Sequence, residues 1–236
     1  MSGVSYLFGK YYLNRQGWID GTAQFRKLIE SNLKQDSVVL DIGAGASSQH
    51  NFRGRCKKIV GIDISADVMR NPSLDEARVC DAADLPFTDN TFDLAFADFV
   101  LEHLPEPGVA AGEIFRVLKP GAKLCIRTPN LLCYVYLISR MTPYAWHIYF
   151  RKILQGKPEE DTFRVYYRVN TRHGLKYIFE KAGFIVEKIE MVEKEPSYLM
   201  KWPFTFMFGL FYERLLNSVE FLSIFRANIF AVLRKP

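Results

Sequence analysis

The chain has 236 residues, 49% of them hydrophobic and 24% charged, with 31 Lys and Arg against 26 Asp and Glu for a net charge of +5. These proportions belong to a folded globular protein and exclude disordered, collagenous and coiled-coil chains. The length admits one large domain or two small ones.

Met1 to Lys10 carries no basic segment followed by an apolar core, so no secretory leader is expected. Residues 20–34 read as an amphipathic helix, capped by Asp20 or Thr22, with Phe25, Leu28, Ile29 and Leu33 on one stripe. Short apolar runs of strand length follow at Ser37–Ile42, Lys58–Asp63, Arg78–Cys80, Phe92–Ala97 and Ala122–Thr128. Between the last two, Gly108–Leu118 has helical period and stops at Lys119-Pro120-Gly121. Strands alternating with helices predict right-handed crossovers and a doubly wound α/β sheet. Further helices are expected in pieces over 131–155, at Thr171–Ala182 and over 203–225, with strands at Phe184–Val192 and Asn228–Leu233. No polar, Pro- or Gly-rich linker interrupts the chain, which predicts a single domain. Within it, residues 1–36 form an N-terminal cover, 37–130 a core and 131–236 an elaborated second half. Cys56, Cys80, Cys125 and Cys133 make no C-x-x-C pair and read as buried free thiols in a reducing compartment. A cytoplasmic location is expected.

The most informative stretch is Val38–Gly45 (VVLDIGAG), where a buried strand runs into D-x-G-x-G. Glycines there let the backbone approach a ligand that side chains would block. A lone G-x-G is a weak signal, but 18 residues beyond Gly45 a second strand ends at Asp63, and 18 further a third ends at Asp81. Asp41, Asp63 and Asp81 therefore fall on the carboxyl edge of the sheet, where open α/β folds bind ligands. A nicotinamide dinucleotide fits poorly. Ser48 stands where that fingerprint needs a third glycine or alanine, and an Asp before the first glycine suits a cation better than a pyrophosphate. The pattern favours a positively charged nucleoside.

VVLDIGAG, VGIDIS, CDAADLPFTDNTFDLAF, LEHLPEP and RVLKPGAKLCIRTPN together resemble a class I S-adenosylmethionine-dependent methyltransferase of the small-molecule group, over about Ser37 to Asn130. That group includes ubiquinone, sterol, natural-product and glycan methyltransferases. The resemblance implies a Rossmann-like seven-stranded sheet with an antiparallel last strand and an aromatic helical cap. It implies S-adenosyl-L-methionine as cofactor, with Gly43 and Gly45 under its methionine and ribose. Asp41 would hold the ammonium, Asp63 the ribose hydroxyls, and Ile64 would pack on the adenine. Asp81 and the Ala82 amide would meet the adenine edge, and Ala97 and Asp98 would border the reacting methyl. Relatives that methylate ring hydroxyls bind a metal with a Glu-His pair plus an acid three residues before the Glu. Here Glu102 and His103 are preceded by Phe99, so no metal is expected.

Methyl transfer is an in-line displacement, and a hydroxyl acceptor calls for a general base. Among His50, His103, His147 and His173, the candidate bases are His103 and His147, each weighed against a structural role. Oxygen is the favoured acceptor atom. Carbon or nitrogen methylation, and a methyltransferase-like subunit without turnover, are the alternatives.

The two parts of the chain differ in character. Residues 1–130 hold 15 basic and 16 acidic residues with 12 aromatics, whereas 131–236 hold 16 basic and 10 acidic with 22 aromatics. The second part is read as the acceptor side, for a small-molecule, glycan or lipid-linked acceptor. Its basic residues show no regular stripe, so nucleic acid is not expected. Tyr6, Phe8, Tyr11, Tyr12 and Trp18 are expected to close over the cofactor from the other side. For Trp202–Phe225 three readings compete: burial in the cap, contact in a homodimer, and seating in a membrane interface. Burial ranks first.

Overall fold

In the computed structural model, residues 3–141, 164–196 and 199–236 are described. Seven strands form one sheet: β1 Val38–Ile42, β2 Lys58–Asp63, β3 Glu76–Val79, β4 Phe92–Asp98, β5 Leu118–Pro129, β6 Ile185–Val192 and β7 Asn228–Arg234. Their order across the sheet is β3-β2-β1-β4-β5-β7-β6. β1 pairs in parallel with β2 and β4, β2 with β3, and β4 with β5. β7 runs against β5: Lys235 bonds Gly121 and Ala122 at one end, while Ala227 meets Asn130 at the other. This is the mixed Rossmann-like sheet expected, with its last strand antiparallel.

The helices are α1 Gly3–Phe8, α2 Gly21–Glu30, α3 Pro107–Val117, α4 Tyr134–Met141, α5 Arg172–Lys181 and α6 Pro203–Ser218. α1 continues through a wider turn to Leu13, and α6 is followed by a tighter turn at Glu220–Phe225. Local chemistry sets their ends. The Asp20 carboxylate accepts from the Ala23 amide at 2.7 Å, and the Thr171 hydroxyl accepts from the Gly174 amide at 3.0 Å, which satisfies amides that a helix start leaves unpaired. β3 and β5 begin earlier than the sequence reading places them, at Glu76 and Leu118, and two helices end earlier. α2 ends at Glu30, where the Ser31 hydroxyl and the Asn32 amide turn back onto the Leu28 carbonyl and compete with the helix. The helix expected over 203–225 stops at Ser218, whose hydroxyl bonds the Arg214 carbonyl.

The chain divides into two compact units. One comprises Phe25–Pro129, Arg164–Glu190 and Ile229–Pro236, and holds most of the sheet. The central strands are buried on both faces, with Val39, Leu40, Ile42, Leu94, Phe96, Leu124 and Ile126 at 1% exposure or less. Continuous apolar strands of this kind are what helices on both faces require. The other unit comprises Met1–Gln24, Asn130–Phe163 and Met191–Asn228. Its core gathers Val4, Tyr12, Phe206 and Leu210, with Leu7, Phe8, Tyr11, Trp18 and Met200 around them. Of the N-terminal aromatics, Phe8, Tyr11, Tyr12 and Trp18 are used in this packing and Tyr6 is exposed: Tyr12 lies 5.1 Å from Phe8, 5.2 Å from Trp18 and 6.1 Å from Phe206 between ring centres. The Tyr12 hydroxyl donates to buried Glu213 at 3.0 Å.

The four cysteines are free thiols, with Cys56, Cys125 and Cys133 buried. No described helix is long and apolar enough to cross a membrane.

Candidate functional site

The site is built at the carboxyl edge of β1, β2 and β4, within the sheet-bearing unit. β1 is central, and Asp41 stands beside Gly61 of β2 on one side and Phe96 of β4 on the other. Its carboxylate is 3% exposed and accepts one bond, from the Ser48 hydroxyl at 3.0 Å. Burial pushes its pKa up to about 7; the Ser48 bond opposes this, and the nearby Asp98 and Asp63 charges add to it. A buried acid among other acids is poised to accept a cation.

The chain then turns over β2. The amides of Gly43 and Ala44 both donate to the Ile62 carbonyl, at 2.8 and 3.0 Å. Gly43 has φ +74° and Gly45 φ +54°, a region side chains rarely adopt. A Cβ on Gly43 would meet Val100 Cγ2 at 2.3 Å, so this glycine is needed for packing. A Cβ on Gly45 would meet nothing within 4 Å, so this one faces open space.

Asp63, at the end of β2, accepts the Gly45 amide at 2.9 Å on one oxygen and the Ser65 amide at 2.8 Å on the other. These bonds fix its plane against the glycine turn. Ile64 beside it is 60% exposed, an apolar side chain left at the rim. Asp81 lies just past β3, accepts the Ala83 amide at 2.9 Å and is exposed; Ala82 is buried. The structure therefore brings Asp41, Gly43, Gly45, Asp63 and Ile64 together around one turn, with Asp81 and Ala82 on the neighbouring strand end. Gly45 with room for a ligand, an acid suited to a cation and an exposed apolar rim fit a cationic nucleoside such as S-adenosylmethionine.

Ala97 and Asp98 close β4, opposite Ile126 and Arg127 of β5. Asp98 is the centre of a cluster whose spacing gave no warning of it. The Arg127 guanidinium grips it with Nε and Nη2, one on each oxygen, and His50 Nε2 lies 2.7 Å from Oδ2. Burial alone would raise the Asp98 pKa, but the bonds from His50 and Arg127 overcome it and hold the carboxyl below its usual range. An ionised Asp98 requires His50 Nε2 to carry the proton. His50 is 1% exposed, among Phe25, Phe52 and Phe96, and its Nδ1 is buried without a hydrogen-bond partner. Arg127 stacks 4.5 Å from the Phe99 ring, and Phe99 itself has φ +57° with its amide held by the Arg127 carbonyl at 2.9 Å. Such a backbone persists only where its surroundings hold it. The one hint in the sequence was an arginine inside the apolar strand Leu124–Pro129.

Glu102 is 5% exposed and accepts from the Thr128 hydroxyl at 3.1 Å; burial pushes its pKa up to about 7. Thr128 accepts in turn from Asn170 Nδ2 at 2.6 Å, and Asn170 Oδ1 is buried and unpartnered. His103 Nδ1 lies 3.0 Å from the Arg164 carbonyl. His147 lies outside the described residues.

Residues 40–126 match the family model of a methyltransferase domain. The chain is 33% identical over 149 residues to a demethylmenaquinone methyltransferase of Lactiplantibacillus plantarum, covering 54% of this chain and 60% of that protein. It is 29% identical over 175 residues to a demethylmenaquinone methyltransferase of Staphylococcus aureus, covering 68% and 73%. The chain thus spans less than two thirds of the Lactiplantibacillus relative. A solved S-adenosylmethionine-dependent methyltransferase of Methanosarcina mazei shares the fold, with a TM-score of 0.57 over 88% of this chain and 96% of that one at 20% identity.

Proposed function

We propose that this chain is a class I S-adenosylmethionine-dependent methyltransferase that methylates a small-molecule acceptor, a reading supported by the match of residues 40–126 to a methyltransferase domain. The observation that carries this reading is the register of Asp41, Asp63 and Asp81 on three neighbouring strand ends around the open turn at Gly45. In it, Asp63 takes the ribose hydroxyls with oxygens already aligned by the Gly45 and Ser65 amides. Asp41 takes the ammonium, and ionises as that cation arrives. Ile64 covers one face of the adenine, while Asp81 and the Ala82 amide read its edge. Ala97 and Asp98 border the point of reaction, where Asp98 stays ionised under Arg127 and His50. When bound, S-adenosylmethionine supplies a methyl group activated by its sulfonium. The protein's part is to hold the acceptor in line with that methyl and keep water out.

The finer reading is transfer to oxygen of a small-molecule, glycan or lipid-linked acceptor. His103 and His147 are then the candidate proton acceptors. A carbon or nitrogen acceptor, or a subunit that binds without turnover, are the competing readings.

Calorimetry with S-adenosylmethionine and S-adenosylhomocysteine tests the cofactor site. Binding is expected for both, with a loss of at least about tenfold in Asp63→Ala, since two ribose hydrogen bonds to a charged group go. No binding, or binding unchanged in that variant, sinks the assignment. Methyl-label incorporation into a metabolite extract, separated into lipid, glycan and small-molecule pools, tests the acceptor. Label confined to RNA, or no label at all, would overturn it.

A further inference from the structure

We infer that the outer face of α6 seats this protein on an anionic lipid surface. α6 is apolar on two opposite sides. Phe206, Gly209, Leu210, Glu213 and Leu216 point inward and are buried. On the opposite side, Phe204, Phe208, Phe211 and Leu215 recur at helical spacing and are 82%, 62%, 67% and 40% exposed. Phe221, in the turn that follows, is 80% exposed. Side chains four, three and four positions apart line one stripe of a helix. Three phenylalanines largely in water on one stripe form a patch that a soluble surface does not keep without a partner.

Charge selects the partner. Lys201 and Arg214 flank the stripe; Lys201 is exposed, with its ammonium 5.4 Å from the centre of the Trp202 ring, and the Arg214 side chain is 40% exposed. The one carboxylate between Lys201 and Val219 is Glu213, which is buried, accepts from Tyr12 and Asn217 and lies 3.4 Å from Arg214 Nε. In the same unit Lys10 and Arg15 are exposed as well. Phenylalanines on a face bounded by Trp and cations, with no outward acid along α6 itself and one, Glu220, in the turn beyond it, match an interface of acyl chains beneath anionic headgroups. A second copy of the chain fits less well, because pairing two such faces sets Lys201 against its equivalent with no outward carboxylate from α6 to meet it.

Flotation of the full chain with vesicles of phosphatidylcholine alone, and of phosphatidylcholine mixed with phosphatidylglycerol, tests this. Binding is expected to the anionic vesicles, weaker in high salt, and lowered at least about tenfold by Phe208→Ser with Phe211→Ser. Lys201→Glu should weaken binding and flatten its salt dependence. Because these side chains are exposed, circular dichroism and S-adenosylmethionine binding should be unchanged; Phe204→Ser serves as the second variant should the double substitution fail to fold. Absence from both kinds of vesicle, or equal flotation of the serine variants, would overturn the inference. So would a dimer by light scattering that the same substitutions dissolve, which would assign the face to a second copy.

Discussion

His50 Nε2 donates to Asp98 Oδ2 at 2.7 Å, across 48 positions of sequence, and completes a buried group in which Arg127 grips both oxygens of the same carboxylate. Removing the shared acid should cost far more than removing a surface charge. Asp98→Ala leaves a buried guanidinium without a counter-charge, and a loss of about 3–5 kcal/mol is expected in urea unfolding. Because the folded-state pKa of Asp98 is lowered, its contribution is present above the unfolded carboxyl pKa and fades as pH falls through the folded value. The difference between wild type and Asp98→Asn should therefore shrink in acid. A difference that does not change with pH would remove the charge from the explanation.

Asp41 has the opposite sign. Its pKa is raised to about 7, so the folded protein retains a proton that the unfolded chain has released, and stability should fall as pH rises from about 4 to 7. A bound cation favours the ionised form. S-adenosylmethionine affinity should accordingly rise roughly tenfold between pH 6 and 8, and Asp41→Asn should flatten that rise. Calorimetry across this range checks both; a flat profile in wild type contradicts the role of Asp41.

Gly43 and Gly45 share a positive φ but differ in what surrounds them. Gly43→Ala drives a methyl against Val100 and should destabilise by about 2–3 kcal/mol. Gly45→Ala should cost only about 1 kcal/mol, for backbone strain, yet lower cofactor affinity at least tenfold by filling the ligand's place. Thermal unfolding and calorimetry on the pair separate the two effects. Equal stability losses with equal affinity losses would count against the distinction.

Glu102 carries a proton near neutrality because burial outweighs the Thr128 bond. Glu102→Gln keeps the shape and can still accept from Thr128. It should raise stability at pH 8 by roughly 2 kcal/mol and change little at pH 5, where the glutamic acid is already neutral. Urea titrations at the two pH values read this directly.

The strand ends and the glycine turn were legible in the sequence because they rest on local rules. A buried strand reads as an apolar run, a turn over the sheet needs glycine, and parallel pairing brings residues at successive strand ends to one edge. Asp41, Asp63 and Asp81 could be placed together from spacing alone, and β7 was found to within one residue. The helix over 203–225 was legible as a helix, but burial, ranked first for it, holds for one side only. Which side of an apolar helix meets a neighbour depends on packing far away in the chain, here Tyr12 and Trp18 of the N-terminal segment.

What the sequence determined alone is the order of chemical groups along the carboxyl edge of the sheet. What the tertiary structure decided is their electrical state. Asp41 and Glu102 hold protons near neutral pH while the half-buried Asp98 does not, because only Asp98 has been given an arginine and a histidine from distant parts of the chain. Spacing sets position, whereas desolvation and charge pairing arise from contacts that form only once the chain has folded.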